Sequence, residues 1–173
     1  MKIRRLTAAD AAAFRDIRLL MLQTDPAAFG STYADWAAKP MAEIKAWIEM
    51  MHLFAAMEGD QCLATAAWHR FKGDTVSHRG HVIAVYTRPE ARGQGLFRQI
   101  MAALEADARA EGVLQLDLDV SVSQPAAFAG YLALGYTELG RCPRALCHDG
   151  VYSDKIMMQK LFEPGAETLL PRA

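Results

Sequence analysis

Cysteine is scarce in this chain and falls into no pattern. Cys62, Cys142 and Cys147 are the three among 173 residues, with no C-x-x-C pair and no Cys/His ligand spacing. A zinc site needs such spacing, so no metal is expected. An odd number of thiols fits a reduced, cytoplasmic protein. No charge of one sign dominates either. Lys and Arg number 19 against 20 Asp and Glu, a net charge of -1. That balance gives no bulk attraction to nucleic acid or to an anionic membrane surface. No apolar run approaches the roughly 20 residues that span a bilayer. The opening Met1-Lys2-Ile3-Arg4-Arg5 leads into polar Thr7 and Asp10 instead of the apolar stretch of a secretory signal. Repeats and low-complexity tracts are also missing. What remains is globular: 52% hydrophobic and 23% charged residues, in a length that suits one domain able to bury a core unaided.

Hydrophobic periodicity divides the chain. Residues 1–6 read as a short strand, and Thr7 with Asp10 reads as a capping box with Asp in the place of Glu or Gln. Phe14, Ile17, Leu20 and Met21 recur at helical spacing up to about Gln23, and Asp25-Pro26 ends that helix. Residues 26–38 read as a loop or broken turn, and a second helix from about Pro40 puts Ile44, Trp47, Ile48 and Met51 on one face. Three strands follow at 53–58, 62–70 and 80–87, with connections short enough for antiparallel pairing. A helix over about 95–111 and a strand over 113–120 then make a β-α-β crossover, which implies a parallel pair. In that strand Asp117 and Asp119 lie on the face opposite Leu116 and Leu118 and read as solvated charges. A helix over about 125–134, ended by Gly135, and two strands near 136–147 and 151–162 complete a mixed α/β sheet; 163–173 reads as a loose tail.

The chemistry-bearing stretch is Val85-Tyr86-Thr87-Arg88-Pro89-Glu90-Ala91-Arg92-Gly93-Gln94-Gly95-Leu96-Phe97-Arg98. A strand runs through a glycine-bearing loop into a helix. The first helical N–H groups have no intrahelical acceptor, the helix dipole is positive there, and glycine lets an anion approach the backbone. Arg92 and Arg98 add charge, so the segment suits a phosphate or pyrophosphate. Gly-Lys-Ser/Thr and G-x-G-x-x-G are both absent, which excludes the Walker and dinucleotide loops.

Arg92-Gly93-Gln94-Gly95-Leu96 resembles the Q/R-x-x-G-x-G/A signature of the GCN5-related N-acetyltransferase (GNAT) family, with Phe97 in place of the last small residue. A side chain of that size has to point away from the pyrophosphate, or the loop has to sit differently. A second segment, Ala127-Phe128-Ala129-Gly130-Tyr131-Leu132-Ala133-Leu134-Gly135-Tyr136, resembles the family's A-x-x-x-Y-x-x-x-G-F/Y. Gln124 stands where the family often has Asn, and Asp25-Pro26-Ala27-Ala28-Phe29-Gly30-Ser31-Thr32 resembles a segment of one bacterial branch.

The resemblance implies a mostly antiparallel seven-stranded sheet with a splayed central parallel pair and about four flanking helices. It implies one acetyltransferase domain over 1–173, with acceptor-side elements in 1–52 and the acetyl-CoA-binding core in 53–162. Acetyl-CoA is the implied co-substrate and an amine the acceptor, with direct transfer and no enzyme nucleophile. Val85, Tyr86 and Thr87 would pair with the pantetheine arm; Arg92, Gly93, Gln94, Gly95, Leu96, Phe97 and Arg98 would wrap the pyrophosphate, with Gln124 nearby. Tyr131 matches the family's acid. Counting back from Val85 to the place of the glutamate base of histone-type members gives His81. Strand alternation would put His81, Ile83 and Val85 on one face, and the residues leave His81 open between a base and a solvent-facing histidine. Phe29 and Tyr33 fall in the acceptor region. Trp36, Trp47 and Trp68 are further aromatic candidates, with Trp47 better suited to the core. Arg18 is open between an anchor for an acidic group and a surface ion pair. The resemblance also allows a homodimer through the final strands, and a non-catalytic acyl-CoA sensor as the second function.

Overall fold

The computed structural model describes residues 1–162; the expected tail, 163–173, lies outside the described residues. Seven strands form one sheet: β1 (Lys2–Arg5), β2 (His52–Glu58), β3 (Gln61–Arg70), β4 (Arg79–Thr87), β5 (Gln115–Ser121), β6 (Thr137–His148) and β7 (Val151–Leu161). Their order is β1-β2-β3-β4-β5-β7-β6, and every neighbouring pair is antiparallel except β4 with β5. The helices are α1 (Ala11–Thr24), α2 (Tyr33–Ala38), α3 (Met41–Met50), α4 (Leu96–Ala110) and α5 (Pro125–Ala133).

Each face of the sheet is covered by the helices whose periodicity demands it. Phe14, Ile17 and Met21 of α1 and Ile44 and Ile48 of α3 pack with Trp36 of α2 on Leu53, Ala55 and Ala67. On the opposite face, Leu96, Ile100, Leu104 and Ala108 of α4 and Tyr131 of α5 pack on Ala56, Trp68, Val82 and Leu116. The α4 residues recur every four positions, which makes one continuous apolar stripe. Thr7 and Asp10 cap a 3-10 turn, Ala8–Asp10, that leads into α1: the Thr7 amide donates to Asp10 Oδ2 at 2.9 Å, and Arg4 grips the same carboxylate at 2.6 and 2.9 Å.

Two features depart from the expected pattern. Residues 26–38 contain α2, which makes a fifth helix. Thr32 caps it by accepting from the Asp35 amide at 3.2 Å, and six residues are too few for periodicity to register. The second departure is a β-bulge in β4. Thr65 pairs with Tyr86 and Ala67 with Ile83, so three steps on β4 oppose two on β3. Ala84 takes up the extra residue at φ 53°, and the buried Thr65 hydroxyl donates to its carbonyl at 2.9 Å. A bulge reverses the alternation beyond it. Ile83, Ala84 and Tyr86 therefore belong to the α1–α3 side and Val85 to the α4 side. His81 and Ile83 share a face, but Val85 does not join them, contrary to strict alternation.

Candidate active site

Backbone pairing between β4 and β5 stops at Val82–Leu118, one residue before the bulge. Beyond it the strands diverge, and Ile83–Thr87 and Asp119–Ser121 form the two walls of a cleft. A cavity of about 750 Å³ runs through this opening. It connects the loop before α4 on one side of the sheet with the aromatic residues of α2 and α3 on the other. Val85, Tyr86, Thr87, Arg92, Gly93, Gly95, Leu96, Phe97, Arg98 and Gln124, all expected at a cofactor, line it. Gln94 is not among the lining residues; its side chain folds back to the Glu90 carbonyl at 3.4 Å.

The loop has the backbone that an anion site needs. Gly93 and Gly95 sit at φ 76° and 74°, the left-handed region that glycine enters without penalty. Gly95 is the N-cap of α4, and the first amide of that helix with a backbone acceptor is that of Gln99, to Gly95 O at 3.1 Å. The amides of Leu96, Phe97 and Arg98 precede it and point out of the helix end. The ring of Phe97 is turned away from the loop toward α5, edge-on to Tyr131 with centroids 5.3 Å apart. It lies over Gly130, where an added Cβ would sit 2.9 Å from Phe97 Cε1. The bulky residue in the signature is thus accommodated by a glycine on the neighbouring helix, and the loop amides stay clear.

Tyr131 lies on the far wall of the cleft. It is buried, packs on Phe97 and Tyr136, and lines the cavity. Burial raises its phenol above the ordinary value of 10, so the hydroxyl stays protonated at neutral pH. His81 lines the same cavity from β4. Burial lowers its imidazole from 6.5, against the pull of Asp119, whose Oδ2 is 3.8 Å from His81 Nε2. His69, Asp117 and Lys155 also act on it. At pH 7 His81 is therefore neutral and can accept a proton.

Asp117 is not a solvated charge. It is 8% exposed, paired with Arg79, and accepts from Gln159 at 3.2 Å and Gln115 at 3.4 Å. The polar surroundings of β7 and Arg79 make burial of this carboxylate tolerable, and a single strand's alternation does not reveal them. Asp119 is exposed.

Phe29 lines the cavity; Tyr33 does not. Tyr33 is 46% exposed on the first turn of α2, and Trp36, one turn on, takes the inward position. Trp47 is both core and lining: it stacks on Phe14 at 5.1 Å and reaches the cavity. Trp68 is fully buried on the α4 side, with its Nε1 donating to Asp107 at 2.8 Å, and takes no part. Arg18 makes no surface ion pair; it is buried and lines the cavity. Asp25, which the sequence marks as a helix terminator and the head of the matching Asp25–Thr32 segment but not as a site residue, ties the two lips of the cleft together. It meets Arg92 at 3.4 Å and accepts from Gln124 at 3.4 Å.

Among the described residues no group of three or more His, Cys, Asp and Glu is placed to hold a metal ion, and no helix is long and apolar enough to cross a membrane.

A strand pair opened by a bulge, a glycine-bearing helix N-terminus on one lip and a buried phenol on the other make a cleft that suits a phosphate-bearing ligand. The model of the acetyltransferase (GNAT) family matches residues 15–136. The chain belongs to that family and is an acetyl-CoA-dependent N-acetyltransferase. It is 29% identical over 150 residues to L-methionine sulfoximine/L-methionine sulfone acetyltransferases of Pseudomonas aeruginosa and Pseudomonas paraeruginosa, covering 79% of this chain and 84% of each relative. The fold is shared with ribosomal-protein-alanine N-acetyltransferase from Brucella melitensis (TM-score 0.81, 23% identity, 94% of this chain and 100% of that one). It is also shared with a phosphinothricin acetyltransferase from Sinorhizobium meliloti in complex with acetyl-CoA (TM-score 0.78, 20% identity, 98% and 95%).

Proposed function

We propose that this enzyme acetylates the primary amine of a small molecule or peptide by direct transfer, with Tyr131 serving the leaving sulfur and His81 the attacking nitrogen. The observation that carries this reading is that both side chains line one cavity that also contains the anion-ready loop. The main chain of Val85, Tyr86 and Thr87, set free of β5, would pair with the pantetheine arm. The amides from Gly93 to Arg98, with the side chains of Arg92 and Arg98, would hold the pyrophosphate, with Gln124 on the opposite lip.

An amine is protonated in water near neutral pH, and only its neutral form attacks a thioester carbonyl. His81, neutral for the reason given above, accepts that proton directly or through water. Tyr131 then donates to the departing sulfur. Its phenol is a weak acid in this pocket, so the hydrogen bond stabilises charge as it develops on sulfur. The desolvation that weakens the phenol also raises the basicity of the thiolate, which keeps the pair matched. The named activity of the Pseudomonas relatives favours a small-molecule acceptor.

The test is Tyr131→Phe, followed by release of free CoA thiol over a panel of amines. The expected result is a fall in kcat of roughly 10²-fold with the acetyl-CoA Kd held within about twofold. If the wild type binds acetyl-CoA but releases no thiol with any amine, it is a sensor and the catalytic reading is lost.

The same reading treats the chain as one acetyltransferase domain at work in the cytoplasm, where Cys62, Cys142 and Cys147, all unpaired, stay reduced. A homodimer through the final strands is supported by the edge position of β6 and by exposed Leu139, Val151 and Tyr152. Sedimentation at micromolar concentration decides it.

A further inference from the structure

Arg18 is a cation without a counter-ion. It is 6% exposed on α1, and among the described residues no carboxylate lies within ion-pair distance of it. Its guanidinium is 4.6 Å from the Trp36 ring centroid and 5.6 Å from that of Phe29. Nη2 donates to Ser31 Oγ at 3.1 Å and Nη1 to the weak acceptor Met21 Sδ at 3.3 Å, while Nε has no partner. Five donors in a planar fork are thus served by one hydroxyl and one thioether. Burial lowers its pKa to about 10, which still leaves it charged at neutral pH.

A buried charge left unpaired is strongly unfavourable, and a folded chain normally supplies the missing partner. This one supplies aromatic faces instead. Those faces hold the guanidinium plane and leave its edge donors short of acceptors. The group lines the same cavity as His81 and Tyr131. We propose that Arg18 is the acceptor-carboxylate anchor: the acceptor is a small amine that also carries a carboxylate, an amino acid or a close analogue. The planar fork matches a carboxylate in two parallel hydrogen bonds. The indoles of Trp36 and Trp47 and the ring of Phe29 beside it accept the acceptor's apolar part. One guanidinium fork balances a monoanion better than a doubly charged phosphate. The inference rests on the N-acetyltransferase reading and names its substrate class.

The experiment compares L-α-amino acids with their α-carboxamides, which differ only in the charged group. The carboxamides have the less basic amine, hence more of the attacking form at neutral pH, so the comparison is biased against the expected result. Wild-type kcat/KM should favour the acids by roughly 10²-fold. In Arg18→Gln that preference should fall to about parity, mainly through KM, with Arg18→Lys intermediate. Trp fluorescence titration with the same pairs, in the presence of CoA, reads acceptor binding without turnover. It should show acids binding the wild type roughly 10²-fold tighter than amides, and Arg18→Gln binding both alike. A thermal melt of each variant separates lost folding from lost selectivity. Equal handling of acids and amides by the wild type overturns the proposal, as does a preference that survives Arg18→Gln. If no acceptor is turned over, the catalytic reading fails, and the binding titration still decides the role of Arg18.

Discussion

Gly130→Ala sets two energies of similar size against each other. Gly130 lies inside α5, where replacing glycine by alanine ordinarily stabilises by about 1 kcal/mol. The new Cβ, however, would sit 2.9 Å from Phe97 Cε1, 3.4 Å from Cζ and 3.5 Å from Cδ1. The ring cannot rotate freely out of the way, because it also packs edge-on against Tyr131, with centroids 5.3 Å apart. Forcing such a shift in a packed site costs about 1–3 kcal/mol. The net expectation is a destabilisation of roughly 0–2 kcal/mol from these two terms. Phe97→Ala removes the obstacle. In that background Gly130→Ala should stabilise by about 1 kcal/mol, so the two substitutions should couple by about 1–3 kcal/mol. Urea unfolding of the four proteins, followed by circular dichroism, measures the cycle. Additive effects, with Gly130→Ala stabilising in both backgrounds, would show that Phe97 does not rest on Gly130. The explanation given for the bulky residue in the loop signature would then be wrong.

Two further predictions follow from titrating groups. His81 must be neutral to accept a proton, and burial lowers its pKa, so kcat/KM should rise with pH through an inflection below 6.5 that His81→Gln abolishes. The acceptor amine titrates in both enzymes, and Asp117, Asp119, His69 and Lys155 are unchanged, so an identical profile in the variant would remove His81 from the mechanism. The hydrogen bond from Arg4 holds the Asp10 carboxyl at about 2, against 3.8 when unfolded. Its contribution to stability is therefore complete above the unfolded value and is lost as pH falls through about 2. Asp10→Asn should cost about 1 kcal/mol near neutrality and progressively less in acid; a difference independent of pH in thermal melts would refute the pairing.

Much of the cavity wall around the glycine loop was legible because it is local. The strand, the glycine loop and the α4 stripe are contiguous, so the residues that meet at the cleft are neighbours in the chain. Glycines at left-handed φ and a regular apolar stripe leave a signal whatever the rest of the fold does. Tyr131 was singled out by its place in a short matching segment, and it lines the same cavity. The acceptor side was less so. A six-residue helix carries too little periodicity to show which aromatic turns inward, and Trp36 takes the place expected of Tyr33.

The order along the chain of the strands and of every helix but α2, the anion-ready loop and the absence of Walker and dinucleotide motifs were determined by the sequence alone. Each depends on period, capping and backbone freedom within a few residues. The β4 bulge, the burial of Asp117, the seating of Phe97 on Gly130, the Asp25 bridge and the unpaired Arg18 were decided only by the tertiary structure. Each depends on which distant strand or helix supplies, or withholds, a partner. Thr65 must meet the Ala84 carbonyl for the bulge to persist, and Arg79 must meet Asp117 for the carboxylate to be buried. Arg18 must meet aromatic rings and no acid for its charge to be left for a ligand.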